Sequence, residues 1–553
     1  MKTVDYFGTE KMDLSGFCKF CKNNVPLIIS VTIGLFFSYG IKLVCYSIGI
    51  DTELLLADKA SYQKWIVQIG RFGSDLLHRF WYIHEFNPVG AFFITFCFIW
   101  LFTISWSYCL SVFGKNTGRN NKLIPFALLF MTMPVWAEQF YFVCQSAETA
   151  CMIFLCPYVI YLLYQGFLHN EKGKVICAFT LLVLMISVYQ AIIVLFCAGV
   201  FACFVLLQEH SDYEPQVYRL LCLKLFITVI AALAAYFLLD KLFVTVIFNT
   251  EKSEYLDNMN LWGKEPIIRN ILRILLYGYI LTIGHIPIVQ SVAEPVMAQF
   301  ARTGMELAKE FSRQSRIIGN VLLFPAALCF IIQISKMVQG KIVAGRRILY
   351  ILAGIGIPFS IMLLSIISGN IPPIRSMYAL PFASAFMIFY LITKYKKPIS
   401  SVIAGIALLV SVYQAQTTAQ LFYSDYLRYQ EDVRLAFELD RSILRLQDDT
   451  EKLPIAFIGK YKIDFKTNFL PGGVLGHSFF GWPTPDYVFE STKRGLAFMQ
   501  SLGINYESPD ENQMNQARLA AEPMPSYPAT GSVKRLSDLI VVKFSESMYV
   551  ETK

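Results

Sequence analysis

Long apolar runs, one after another, restrict this chain more than any other feature. A helix needs about 20 mostly apolar residues to cross the hydrocarbon core of a bilayer. Runs of that order occur at 25–50, 88–113, 123–143, 147–168, 175–190, 191–208, 222–248, 317–335, 348–369, 378–393 and 399–418. Lipid offers no partner for backbone N–H and C=O groups, so a spanning segment must satisfy them internally. The pattern therefore predicts an all-α polytopic membrane bundle of about eleven transmembrane helices. Composition agrees, with 55% hydrophobic and only 16% charged residues and a mean hydropathy of +0.50. So little charge cannot cover a soluble surface of this size.

The net charge of +8 would suggest nucleic acid in a soluble protein. Here the basic residues fall in short loops between apolar runs, as cytoplasmic loops do, and no nucleic-acid partner is expected. Lys115, Arg119 and Lys122 mark one such loop; Lys336, Lys341, Arg346 and Arg347 a second; Lys394, Lys396 and Lys397 a third. These anchors predict a cytoplasmic segment 1–24, a transmembrane domain 25–423 with outer loops 51–87, 249–316 and 370–377, and an extracytoplasmic C-terminal domain 424–553. The first apolar run starts near Val25 and reads as an uncleaved helix rather than a signal peptide. The run 175–208 is either one helix of about 50 Å or a hairpin turning at Tyr189-Gln190. A hairpin requires 266–290, with Arg269 and Arg273 on one face, to lie in the interface without crossing, and this is the preferred arrangement. Residues Trp65, Ile66, Ile69, Phe72, Leu76 and Leu77 alternate at helical spacing with Lys64, Gln68, Arg71, Asp75 and Arg79. That spacing predicts an amphipathic helix at the outer interface or packed on the bundle.

In the tail, a charged helix is expected from Ser424 to Leu446, followed by buried strands at 455–459 and 539–544 among Gly- and Pro-rich loops. About 130 residues suffice for a modest α/β core. The thirteen cysteines lie mostly inside apolar runs, as small packing residues do. Cys18 and Cys21 have no companion pair at zinc spacing, and the six histidines form no metal constellation. No Walker loop, nucleotide-binding glycine fingerprint, HExxH or GxSxG occurs. Any group transfer would then draw on a donor delivered through the membrane, with no metal or cofactor expected.

A few polar groups stand where chemistry could be done. Asp51 and Glu53 follow the first span directly, and carboxylates at the mouth of a bundle can hold a raised pKa and act as a general base; the plain alternative is solvated loop acids. Gln68 and Arg71 add a guanidinium fork suited to a lipid phosphate, or an arginine snorkelling to headgroups. Glu138 and Glu148 flank the turn between spans three and four, at a depth where carboxylates usually face a cavity or a partner. Pro372-Pro373-Ile374-Arg375 is a stiffened outer loop that aims Arg375 at one place, as a phosphate clamp or a topological anchor.

Several of these segments, in order, resemble a known family. Tyr46-Ser-Ile-Gly-Ile-Asp51-Thr-Glu53, Trp65-Ile-Val-Gln68-Ile-Gly70-Arg71-Phe72, the Tyr189-Gln190 pair, Met524-Pro-Ser-Tyr-Pro528-Ala-Thr-Gly531-Ser-Val533 and Asp538-Leu-Ile-Val-Val-Lys543 are similar to parts of the bacterial type-II O-antigen glucosyltransferases. The resemblance implies a GT-C-like, membrane-embedded glycosyltransferase that uses a polyprenyl-phosphate sugar. It implies a catalytic carboxylate at Asp51, with Glu53 second, and a functional Arg71. Tyr189 and Gln190 would join the binding site. The expected reaction is inverting hexosyl transfer from undecaprenyl-phosphate-sugar to a surface polysaccharide or lipid-linked acceptor, at the outer face of a bacterial plasma membrane. Asp51 would deprotonate the acceptor, while Arg71 and Arg375 stabilise the departing phosphate. A lipid-linked saccharide flippase or a polysaccharide polymerase would share the polytopic pattern.

Overall fold

The computed structural model describes residues 11–82, 85–283, 322–340, 342–447, 453–464, 468–483 and 488–549. The expected stretches 284–316 of the second outer loop, 284–290 of the run 266–290, and 317–321 of the eighth span lie outside the described residues. The structure is 71% helix with a small C-terminal sheet. It divides into two compact units, one of residues 1–41, 65–140 and 145–419, the other of residues 42–64, 141–144 and 420–553.

Seven described helices are long and apolar enough to cross a membrane: Val25–Val44, Pro88–Phe113, Val143–His169, Ile192–His210, Pro215–Ile247, Leu323–Gly340 and Ile399–Leu444. The other four expected spans come out short or broken, each for a local reason. Within 123–143 the helix Leu123–Thr132 stops before Pro134 and a short helix Val135–Phe140 follows, because a proline disfavours helical backbone just before it. Lys172–Val188 ends at Tyr189, which is extended, and Ile192–His210 begins three residues later. The run 175–208 is thus two helices. Arg347–Ser360 ends just after Pro358, with Leu363–Ser368 beyond it, and Ala379–Lys394 has only 16 residues.

Apolar side chains face outward from the first unit, as lipid permits and water does not. On Pro215–Leu242, for example, Leu223, Phe226, Ile230 and Leu238 are exposed while Tyr218 and Tyr236 are buried. The helix Ile267–Ile283 does the same, with Ile268 and Leu275 exposed and Asn270, Arg273 and Tyr277 buried. The basic stripe expected on it is corrected here, because Arg273 turns inward and grips Glu265 at 2.6 and 3.0 Å. The single amphipathic helix expected in 51–87 is also corrected. The segment forms three helices, Thr52–Ala57, Lys59–Gln68 and Phe72–Trp81, and the last break falls at Gly70, whose φ of 78° suits a residue without Cβ.

In the second unit, β1 (Ile455–Ile458), β2 (Val533–Arg535) and β3 (Ile540–Lys543) form a sheet of order β1-β3-β2, with β1 parallel and β2 antiparallel to β3. Alternation along the strands sends Ala456, Ile458 and Val541 to a core with Met514, Ala517 and Ala521 of helix Glu511–Ala521. The opposite pleat carries Phe457, whose ring meets Phe480 and Phe544; Phe498 of helix Thr492–Ser501 joins this face. The charged helix expected from Ser424 is continuous with the last span, in a single helix of 46 residues.

Candidate active site

Asp51 and Glu53 come together in the second unit on one residue, Arg494. Arg494 Nη2 lies 3.0 Å from Asp51 Oδ1 and Nη1 lies 2.7 Å from Glu53 Oε1. The fork is therefore split between two acids instead of clamping one. Asp51 sits in the left-handed region (φ 74°) immediately before the helix Thr52–Ala57, and its side chain makes no capping bond there. It turns to Arg494 instead. Both acid side chains are buried, Glu53 wholly and Asp51 with 9% exposure left. Burial pushes the Glu53 carboxyl up to about 7, opposed by Arg494 and reinforced by the Asp51 charge. Glu53 Oε2, Thr52 Oγ1 and Arg494 Nε are buried without a hydrogen-bond partner.

Local packing fixes Arg494. Thr492 Oγ1 accepts from Phe457 N–H at 3.0 Å and donates to Phe457 C=O at 3.2 Å, closing the free edge of β1. Gly495 then lets the helix approach the sheet, since a Cβ there would come within 2.9 Å of both Phe457 and Phe480 rings. Arg494 is held between these two contacts. Sequence reading passed it over: Lys493-Arg494-Gly495 looks like any solvated helical turn, and no local pattern announces that the arginine is buried.

The segment leading to Asp51 is anchored by a balanced set of buried charges. Asp425, Arg428 and Asp432 share a face of Ile399–Leu444, and all are fully buried. Asp425 takes Ser47 Oγ at 2.7 Å and Lys42 Nζ at 3.3 Å, and Arg428 donates to Ile48 C=O at 2.6 Å. Asp432 accepts from Ser478 Oγ at 2.5 Å. Two cations meet two anions, the condition under which buried charge is tolerated. Tyr141 Oη accepts the Ile50 N–H at 3.2 Å, one residue before Asp51.

The remaining candidates lie in the first unit. The Arg71 guanidinium stacks 4.4 Å from the Tyr189 ring centroid and donates to Gln145 at 2.9 Å, while its Nε has no partner. Tyr189 stacks on Tyr378 with centroids 5.4 Å apart, and Tyr378 packs on Trp136, so the guanidinium caps an aromatic column. The Tyr378 hydroxyl is buried without a hydrogen-bond partner and lies in the fields of both Arg71 and Arg375. Arg375 donates to Tyr255 Oη at 2.9 Å. Gln190 holds the Gly70 turn through Ile69 C=O and Gly70 C=O at 3.0 and 3.1 Å, and Gln68 donates to Thr250 at 2.7 Å. Glu138 and Glu148 are buried, and Glu148 lies 3.3 Å from His78 Nδ1. The structure thus groups Arg71, Tyr189, Gln190 and Arg375 around one turn, and pairs Glu148 with a histidine.

Residues 40–392 match the profile of the family described as Glucosyl transferase GtrII. The chain belongs to that family. Membership makes it a glycosyltransferase acting on a sugar donor and an acceptor, and its apolar helices associate it with a membrane. Asp51, Glu53, Gln68, Arg71, Glu138, Glu148, Tyr189, Gln190 and Arg375 fall inside the matched stretch, and Arg494 falls beyond its end. No curated protein matches the chain, and no solved structure does.

Proposed function

We propose that this glucosyl transferase moves a hexose from undecaprenyl-phosphate-sugar to a surface polysaccharide or glycolipid acceptor, at the outer face of a bacterial plasma membrane, with Asp51 as general base. The observation that carries the base assignment is the asymmetry of the acid pair. One guanidinium holds both carboxylates, but only Asp51 keeps solvent access. Glu53, sealed behind it and pushed up to about 7, supplies a neighbouring negative charge that favours proton uptake near neutral pH.

The atoms balance in a single displacement. The acceptor hydroxyl gives its proton to Asp51 as its oxygen bonds to the anomeric carbon. The bond from that carbon to the phosphate oxygen breaks, undecaprenyl phosphate leaves, and the centre inverts. Phosphate recognition is assigned to the first unit, where Arg71 and Arg375 offer fixed guanidinium donors. Arg71 Nε and the Tyr378 hydroxyl, both buried without partners, support that assignment, since unpaired buried donors usually await a ligand or water.

The test is release of undecaprenyl phosphate from its sugar conjugate by the purified protein in lipid. Asp51→Asn preserves size and the left-handed backbone, which asparagine tolerates, and removes the basicity. Turnover should fall by about 100- to 10,000-fold with donor binding retained. Near-normal turnover would move the base elsewhere.

A further inference from the structure

Arg494 belongs to no part of the family match, which ends at residue 392, yet both candidate acids lean on it. We infer that Arg494 is a positioning residue for glycosyl transfer: through one buried guanidinium, the C-terminal segment holds Asp51 and Glu53 in fixed register and keeps the pair ionised. This rests on the assignment of Asp51 as base. Two carboxylates in one buried cluster do not both ionise unless a cation sits between them, and here the cation arrives on a helix held by Thr492 on one side and Gly495 on the other. The cluster is also unsaturated. Glu53 Oε2, Thr52 Oγ1 and Arg494 Nε lack partners, whereas an ion pair kept for architecture alone satisfies its buried polar atoms.

The groups that face the acids come from several elements. Arg494 comes from Thr492–Ser501, where neighbouring Lys493 turns away over the Phe489 ring. Tyr141 and Cys144 act on the acids from residues 141–144, Tyr62 reaches Cys144, and Arg428 and Asp425 act on Tyr141. The strand Ile455–Ile458 and the turn Phe479–Gly481, which pack on the Arg494 helix, bring no titratable side chain.

The experiment uses the full chain in lipid vesicles with Arg494→Gln and Arg494→Lys, and reads two quantities against pH. One is turnover of undecaprenyl-phosphate-sugar. The other, independent of turnover, is modification of residues 51–53 by a hydrophobic carbodiimide, which attacks protonated carboxyls and is located by peptide mass. Arg494→Gln should shift the labelling midpoint upward by about 1–3 pH units, the range over which a neighbouring cation moves a carboxylate. The acid limb of turnover should follow it, and the maximal rate should fall. Arg494→Lys keeps the charge and loses the split fork, so it should restore part of both. Should the Gln variant fail to remain monodisperse, the Lys variant carries the test through its intermediate midpoint. Unchanged labelling and an unchanged limb overturn the inference. Shifted labelling with unaltered turnover also overturns it and removes the base role from the acids. A shift in both, beside an active Asp51→Asn, overturns Asp51 alone and leaves Arg494 positioning Glu53.

Discussion

Asp51 pairs two unusual properties, a left-handed backbone and a side chain that ignores the helix it precedes. Both follow from Arg494, which draws the carboxylate away from the cap position. The neighbouring acid then sets how readily Asp51 takes a proton. Removing the like charge in Glu53→Gln weakens the base, so maximal turnover should drop. It also lets the base ionise at lower pH, so the acid limb should move down by about one pH unit. Measured across pH 5–9, turnover should therefore lose less at pH 6 than at pH 8; a limb that stays in place would separate Glu53 from the reaction. That two acids stand near the end of the first apolar run could be read from the sequence, since Asp51-Thr-Glu53 follows it directly. That they share an arginine could not, because the contact joins residues 443 and 441 positions apart and neither end carries a local signature.

The elements divide between those whose pattern is uniform and those that proline or glycine interrupts. Pro88–Phe113 and Ile192–His210 are apolar throughout, and their expected limits agree closely with the structure. The strands around 455 and 540 were legible because a short apolar run flanked by breakers has few other ways to be buried. The interrupted runs fared worse. Pro134, Pro358 and Gly70 each end a helix that hydropathy alone would carry onward. Helix Thr492–Ser501 is the element that decides the candidate site, and Gly495 is its tightest point. Gly495→Ala gains about 1 kcal/mol of helix propensity but forces a methyl against two phenylalanine rings, an overpacking that costs about 1–3 kcal/mol. The terms nearly cancel, so thermal stability should fall only modestly. Arg494, one residue earlier, is displaced with the helix, so turnover should fall far more than stability does. A melting transition compared with turnover on the same preparation checks this, and wild-type turnover would show that the close approach is dispensable.

At the scale of the molecule, the basic loops predict an even partition of sides along the chain. The Lys394, Lys396 and Lys397 loop precedes the last helix, which places everything after its apolar half on the opposite face by the positive-inside rule. A reporter that is active only outside the cytoplasm, fused after residue 553, should therefore give signal; signal from a cytoplasmic reporter instead would reverse the assignment of sides. The split of the Arg494 fork between Asp51 and Glu53 has a further consequence in time. A ribosome adds about 5–20 residues per second, and 443 positions separate Asp51 from Arg494. The two acids thus spend roughly 20–90 s of synthesis, at those rates, without the cation that they share in the finished protein. β1 waits too, since its partner β3 begins at Ile540. A nascent chain can insert every apolar helix and still lack a paired acid cluster, so the enzyme comes into being only as its last residues are made.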